Sequence, residues 1–293
     1  MNGWIILDKP LGLGSTQGVS AVKRALRQGG YAKVKVGHGG TLDPLATGVL
    51  PIALGEATKL AGRMLDSDKV YDFKVQFGTQ TDTLDGEGAV IAESDVRPTL
   101  AEVEAILPRF TGPICQIPPA YSALKVDGLR AYDLARAGED VVLASRDVVI
   151  HTLQLIAADT SSATFSAHVS KGTYIRSLAR DIALALGTVG HVTMLRRTKA
   201  GPFTLNHAIS LDKLEEYAKA QRLEACLLPL RAALDDIPAL ALTPDQADAL
   251  RVGRPLNGIA ATDGLAFAQF GETLIALVQI ADGIVTVERG FNM

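Results

Sequence analysis

Val36-Gly37-His38-Gly39-Gly40-Thr41-Leu42-Asp43-Pro44-Leu45-Ala46-Thr47-Gly48-Val49-Leu50-Pro51 packs four glycines, two prolines, one histidine and one acid into sixteen residues. Glycine and proline punctuate regular structure rather than build it, so the stretch reads as a loop with a carboxylate near its centre. From the residues alone, Asp43 is either an Asx-turn residue ahead of proline or a reactive acid. His38 is a base, a wedge between bases or a loop hydrogen-bonder.

Upstream, Trp4 to Leu7 reads as a short buried strand, followed by the glycine-rich turn Lys9-Pro10-Leu11-Gly12-Leu13-Gly14-Ser15. Ser15 is a candidate N-cap for a helix whose apolar positions Val19, Val22 and Leu26 recur at helical spacing until Gly29-Gly30. Gly12-x-Gly14 resembles the start of a dinucleotide loop, but the next glycine falls at 18 rather than 17. No Lys-Ser/Thr pair follows as in a P-loop, so both readings are rejected.

Downstream, Glu56 to Leu65 reads as helical. Tyr71, Phe73, Val75 and Phe77 then alternate with Asp72, Lys74 and Gln76, the period of a half-buried strand. Thr79 to Gly86 is a polar loop, and Thr99 with Glu102 is a capping box opening a helix to about Phe110. Pro118-Pro119 holds an extended segment ahead of Tyr121 and Lys125. Val141 to Ile156 and Ala163 to Ser170 read as strands. A helix after Gly172 follows with Ile175, Leu178 and Ile182 inward, and Arg176 and Arg180 on another side. Arg196, Arg197 and Lys199 are expected in a basic turn, and Ser210 to Leu227 in a further helix. Beyond a boundary near 229–238, Thr243-Pro244 caps a short helix and three strands follow between glycines. Helices and strands do not alternate as βαβ units, so the expected class is α+β. Its central sheet is mixed and mostly antiparallel, flanked by helices, with a large domain over residues 1–235 and a small β-rich domain over 236–293.

The 293 residues, 47% apolar and 21% charged, read as globular throughout. The start of the chain lacks the basic and apolar regions of a signal peptide, and no apolar run reaches the roughly 18 residues of a membrane span. Two cysteines without CxxC spacing argue against a disulfide framework or a zinc site, and the expected compartment is the cytoplasm. The formal charge of −3 is unevenly spread. Residues 1–40 and 168–204 each carry six Lys or Arg against one acid, while the remainder holds 17 basic against 30 acidic residues. Two basic segments on an acidic body form either one electropositive face for a phosphate backbone or two unconnected patches. Tyr71, on an apolar strand face, reads from the residues alone more as a core residue than a functional one, and no HExxH, metal-ligand cluster or nucleophile elbow is evident along the chain.

Taken together, six collinear motifs resemble the TruB family of tRNA pseudouridine synthases over about residues 3–210. They are Lys9-Pro10-x-Gly12; Gly37 to Pro51; Lys69-Val70-Tyr71; Gln116-Ile117-Pro118-Pro119-x-Tyr121-Ser122-Ala123-x-Lys125; Ser170-Lys171-Gly172-Thr173-Tyr174-Ile175-Arg176-Ser177-Leu178; and Leu195-Arg196-Arg197-Thr198-x-x-Gly201-Pro202-Phe203. The tail resembles the PUA-like RNA-binding domain of bacterial members. Gly39 and Gly14 stand where the family usually carries threonine, which predicts a looser loop around Asp43.

The resemblance implies an isomerase that converts uridine 55 in the T loop of tRNA to pseudouridine, with base flipping and without cofactor or metal. Asp43 is then the nucleophile, Arg176 its cationic partner, and Tyr71 the ring on which the flipped base stacks. His38 takes the space the base leaves. Lys9, Lys125, Arg196, Arg197 and Lys199 are expected on phosphates, and Tyr174 and Leu195 at the RNA. The expected partner is the T-arm stem-loop, with no membrane, and the expected state is a monomer. A non-catalytic RNA-binding module is the competing reading; it leaves Asp43, Tyr71 and Arg176 without a purpose, and formation of pseudouridine separates the two.

Overall fold

The apolar run that follows Asp43 becomes a central strand, because Val49, Leu50, Ile52, Ala53 and Leu54 are buried on both faces of a sheet. The computed structural model describes residues 1–122, 124–126, 128–139, 141 and 143–293, without the side chains of Lys125 and Arg130. In chain order the larger part runs β1 (Gly3–Lys9), α1 (Ser15–Gln28), β2 (Val36–His38), β3 (Ala46–Leu54), α2 (Ala61–Asp66) and β4 (Lys69–Phe77). It continues through α3 (Leu100–Ile106), β5 (Gly112–Gln116), β6 (Arg146–Ala158), β7 (Ser162–Val169), α4 (Ile175–Ala185), β8 (Gly190–Ala200), β9 (Ala208–Ile209) and α5 (Leu211–Lys219). The main path of the sheet is β9-β1-β3-β8-β4-β7-β6-β5, with β2 added to β3. Along that path only β9 on β1 and β8 on β3 pair in parallel, so the expected mixed, mostly antiparallel sheet is what forms.

Helix α4 lays Ile175, Leu178 and Ile182 on Phe73, Val75 and Phe165 of the sheet. On another part of the sheet, α1 and α5 close a second core around Val22, Leu26, Leu50 and Leu214. The capping box at Thr99 forms as read, with Glu102 accepting from the Thr99 backbone N–H at 2.8 Å.

Four readings change. Residues 195–200 are not a basic turn but the end of β8, in the middle of the sheet. The expected helix 210–227 stops at Lys219, where Gln221 takes a positive φ of 53°, and resumes as a 3₁₀ turn. The strand expected from Val141 begins at Arg146. The N-cap of α1 is Gly14, because the Ser15 hydroxyl is turned inward to another partner.

The C-terminal unit is a four-stranded sheet of β10 (Ala239–Ala241), β11 (Gly264–Phe270), β12 (Thr273–Ala281) and β13 (Ile284–Gly290), with α6 (Pro244–Arg251) against it. It has its own core at Leu250, Ile275, Val278 and Val285. Leu274, Leu277 and Phe291 also join Trp4, Phe203 and Leu230 of the larger part in one apolar cluster. Among the described residues, no helix is long and apolar enough to cross a membrane.

Candidate active site

Residues 39–45 span the gap between β2 and β3, and ties from three directions hold the backbone of this loop. The Ser15 hydroxyl donates to Leu42 O at 2.8 Å and accepts from Leu42 N–H at 2.7 Å. Gly39 N–H donates to Pro51 O at 2.8 Å, and Gly12 N–H to Pro44 O at 2.8 Å. From β8, Arg197 sends Nε to Val49 O at 2.8 Å, Nη1 to Thr41 O at 3.1 Å and Nη2 to Gly40 O at 3.2 Å. Gly48 permits this closeness: with φ +100°, a Cβ there would stand 2.2 Å from Arg197 O.

The loop is therefore not looser for lacking threonine at 39. A Cβ on Gly39 would meet Met64 Cβ at 2.6 Å, so Met64 of α2 fills the space that a larger residue would take. At Gly14 the nearest atom to an added Cβ is a Gln17 oxygen at 3.4 Å, and the capping role there passes to the Gln17 side chain.

With the backbone fixed, the Asp43 carboxylate reaches out of the loop, its side chain 41% exposed. It meets Arg176 of α4, whose side chain is only 7% exposed: Nη2 lies 2.9 Å from Asp43 Oδ2. The other arm, Nη1, lies 3.5 Å from Asp85 Oδ2 and donates to Thr83 O at 2.8 Å, while Nη2 also donates to Tyr121 O at 3.0 Å. Asp85 is itself held by the Thr83 hydroxyl at 2.6 Å and Glu87 N–H at 3.0 Å. The fork is thus aimed by the polar loop 79–86 as much as by its own helix. Sequence reading missed Asp85 because the residue that needs it lies 91 positions away.

Asp43, Tyr71, Tyr174, Arg176, Leu195 and Ser122 line one cavity of about 290 Å³, at the lower end of the roughly 300–1,000 Å³ of ligand pockets. Burial pushes the Tyr174 phenol above its ordinary value, so it stays a neutral donor at physiological pH. Ser122 is buried, and its hydroxyl oxygen has no hydrogen-bond partner among the described residues.

Other expected RNA contacts are placed elsewhere. Lys9 is fully buried, its Nζ donating to the carbonyls of Pro10, Leu13 and Pro44, and burial pushes it down to about 8 despite the pull of Asp43. Arg197 is 1% exposed and spent on three carbonyls. Neither can sit on a phosphate, and both serve instead as braces. Arg196 is paired with Asp8 through both guanidinium arms at 2.9 and 3.0 Å, and Lys199 is exposed away from the cavity lining. His38 is half-buried on β2, its Nδ1 unpartnered among the described residues, and burial with the nearby Arg197 charge keeps it neutral. The Lys125 side chain lies outside the described residues.

Arg197→Met should lower thermal stability and the catalytic rate, since the buried carbonyls of Val49 and Gly40 lose their donor at about 1–3 kcal/mol each and the partly buried carbonyl of Thr41 loses its own. The slope of log Kd for tRNA against log salt should not move. A slope shallower by about 0.7–0.9 would put the guanidinium on a phosphate after all.

A sequence profile of the TruB family pseudouridylate synthase N-terminal domain matches residues 24–175, and one of the tRNA pseudouridylate synthase B C-terminal domain matches 176–235. A tRNA pseudouridine synthase B of Novosphingobium aromaticivorans is 65% identical over 298 residues, covering 100% of this chain and 98% of its own. One of Zymomonas mobilis is 61% identical over 292 residues, covering 100% and 96%. Among solved structures, a Cbf5–Nop10–Gar1 complex aligns with TM-score 0.76 at 26% identity over 99% of this chain and 85% of that one. A braced loop presenting one acid to one arginine, and full-length likeness to these relatives, lead to one assignment: the chain belongs to the TruB family of pseudouridylate synthases.

Proposed function

We propose that the protein isomerises uridine 55 in the T loop of tRNA to pseudouridine, with Asp43 as the nucleophile. The observation that carries this is the Asp43–Arg176 pair at 2.9 Å on the wall of a cavity that Tyr71 also lines. The reaction breaks the bond from C1′ to N1 and makes one from C1′ to C5. N1 ends with a proton and the C5 hydrogen leaves as a proton, so atoms balance without an oxidant, cofactor or metal.

A carboxylate can attack C1′ or the base only while ionised and unencumbered, and Arg176 supplies the counter-charge without covering it. The target must leave its stack, at a cost of a few kcal/mol. Stacking on Tyr71 offsets about 1–3 kcal/mol of this. The detached uracil then turns within a small, walled space, where the Ser122 hydroxyl and the Tyr174 phenol are polar groups on the wall that can hold its polar edge.

With Lys9 and Arg197 internal, recognition rests on the shape of the T arm more than on a row of phosphate contacts. The C-terminal unit is read as the appended RNA-binding module. Residues 236–293 carry three arginines, no lysine and seven acids, so its contact with tRNA is one of shape and its other task is to complete the core around Trp4. The protein acts as a monomer in the cytoplasm.

The test is unmodified tRNA labelled with tritium at uridine C5. The wild-type chain should release one tritium per tRNA, and a digest should contain pseudouridine at position 55. Tight tRNA binding with no tritium released would favour the non-catalytic RNA-binding reading instead.

A further inference from the structure

We propose that Asp68, His151 and His168 form a binding site for one divalent transition-metal ion of the zinc class, outside the reaction described above. The three residues are far apart in sequence, which is why no ligand spacing is visible along the chain. Asp68 sits in the turn just ahead of β4. His168 is the β7 partner of Val70, so it faces the side of the sheet opposite Tyr71, whose own partner is Ala167. His151 is the extra residue of a bulge in β6, where Ile150 pairs with Val169 and Thr152 with His168. A bulge re-aims one side chain, and here it brings a second imidazole beside the first, with ring centroids 4.7 Å apart.

Both imidazoles point Nε2 at one oxygen: His151 Nε2 is 3.1 Å and His168 Nε2 3.7 Å from Asp68 Oδ2. A hydrogen-bonded cluster accounts for only the first of these, since the second exceeds hydrogen-bond distance. A tetrahedral ion with bonds of about 2.0–2.1 Å needs its ligand atoms roughly 3.3–3.5 Å apart, and the two distances bracket that value. The three donor atoms all lie within 4.8 Å of one another, and small side-chain rotations close the set. The side chains are 35–46% exposed, which leaves the fourth position to water. Two nitrogens and one oxygen select Zn²⁺, Co²⁺ or Ni²⁺ over Mg²⁺ or Ca²⁺. Lys199 and Lys69 add positive charge near the site and hold its affinity below that of a closed structural site. Bound metal would clasp the turn before β4 to the two strands beside it and raise stability by linkage.

The untagged full chain, stripped with chelator, is titrated with Zn²⁺ and with Co²⁺. Expected are one-to-one binding, the visible absorption of tetrahedral Co²⁺, and a melting temperature that rises with Zn²⁺ but not with Mg²⁺. His151→Gln and His168→Gln should each weaken Zn²⁺ binding about tenfold or more and remove the Co²⁺ band. Melting in chelator checks that both variants fold, and His207→Gln, at an exposed site elsewhere, should bind as wild type. Absence of saturable binding, wild-type binding by the His151 or the His168 variant, or loss of binding in His207→Gln would each overturn the proposal. Pseudouridine formation should be unchanged in chelator, so this result and the nucleophile assignment stand or fall separately.

Discussion

Asp43→Asn should abolish pseudouridine formation while leaving tRNA binding within a few-fold of wild type. The amide has the shape of the acid but neither its charge nor its nucleophilic oxygen. Removal of a covalent nucleophile ordinarily costs about 10⁴- to 10⁶-fold in rate. The rest of the site should not move: Arg176 keeps the Asp85 carboxylate and the carbonyls of Thr83 and Tyr121, and the loop keeps its ties to Ser15 and Arg197. Single-turnover tritium release, read beside a tRNA-binding curve, separates chemistry from affinity. Turnover within tenfold of wild type would remove Asp43 from the reaction.

Arg176→Met should cost both rate and stability, which distinguishes it from the first variant. The guanidinium stands between two carboxylates, and the Asp85 side chain is only 8% exposed. Leaving a buried charge without its partner costs about 3–5 kcal/mol, seen as a lower melting temperature. At temperatures where the variant remains folded, the rate should still fall by about 10²- to 10³-fold, the scale for losing one preorganised electrostatic partner. Arg176→Lys should restore charge but little activity, because one ammonium cannot span two carboxylates and two carbonyls as a planar fork does. A lysine variant of normal rate would mean that net charge alone is required of this position.

The regular elements were legible wherever local chemistry decides them. Tyr71 to Phe77 alternates and is a strand; Thr99 and Glu102 spell a capping box and make one; the three tail strands fall between the glycines that separate them. What was not legible depends on partners that a sequence does not display. Arg196 and Arg197 look like a solvated turn because charged residues seldom enter a central strand. They can do so here because one meets Asp8 and the other three backbone carbonyls. Ser15 has the letter of an N-cap, yet its hydroxyl is worth more on both polar groups of Leu42. Gly39 reads as slack until Met64 is set beside it. The pairing of Asp43 with Arg176 was accessible through family likeness. Asp85, which aims the same arginine, reads in the sequence only as one more polar residue of a loop.

The arginine brace also sets an order of events in time. Arg197 reaches Gly40 across 157 residues of chain and Val49 across 148, so these contacts form only after a long loop has closed. Asp43 is synthesised well ahead of Arg197, so its position can be settled only once β8 has been made and paired. A chain halted before β8 would carry the acid on an untethered loop. In a refolding experiment, catalytic competence should trail the early helices and rise with closure of the sheet centre, which makes activity a reporter of completed topology.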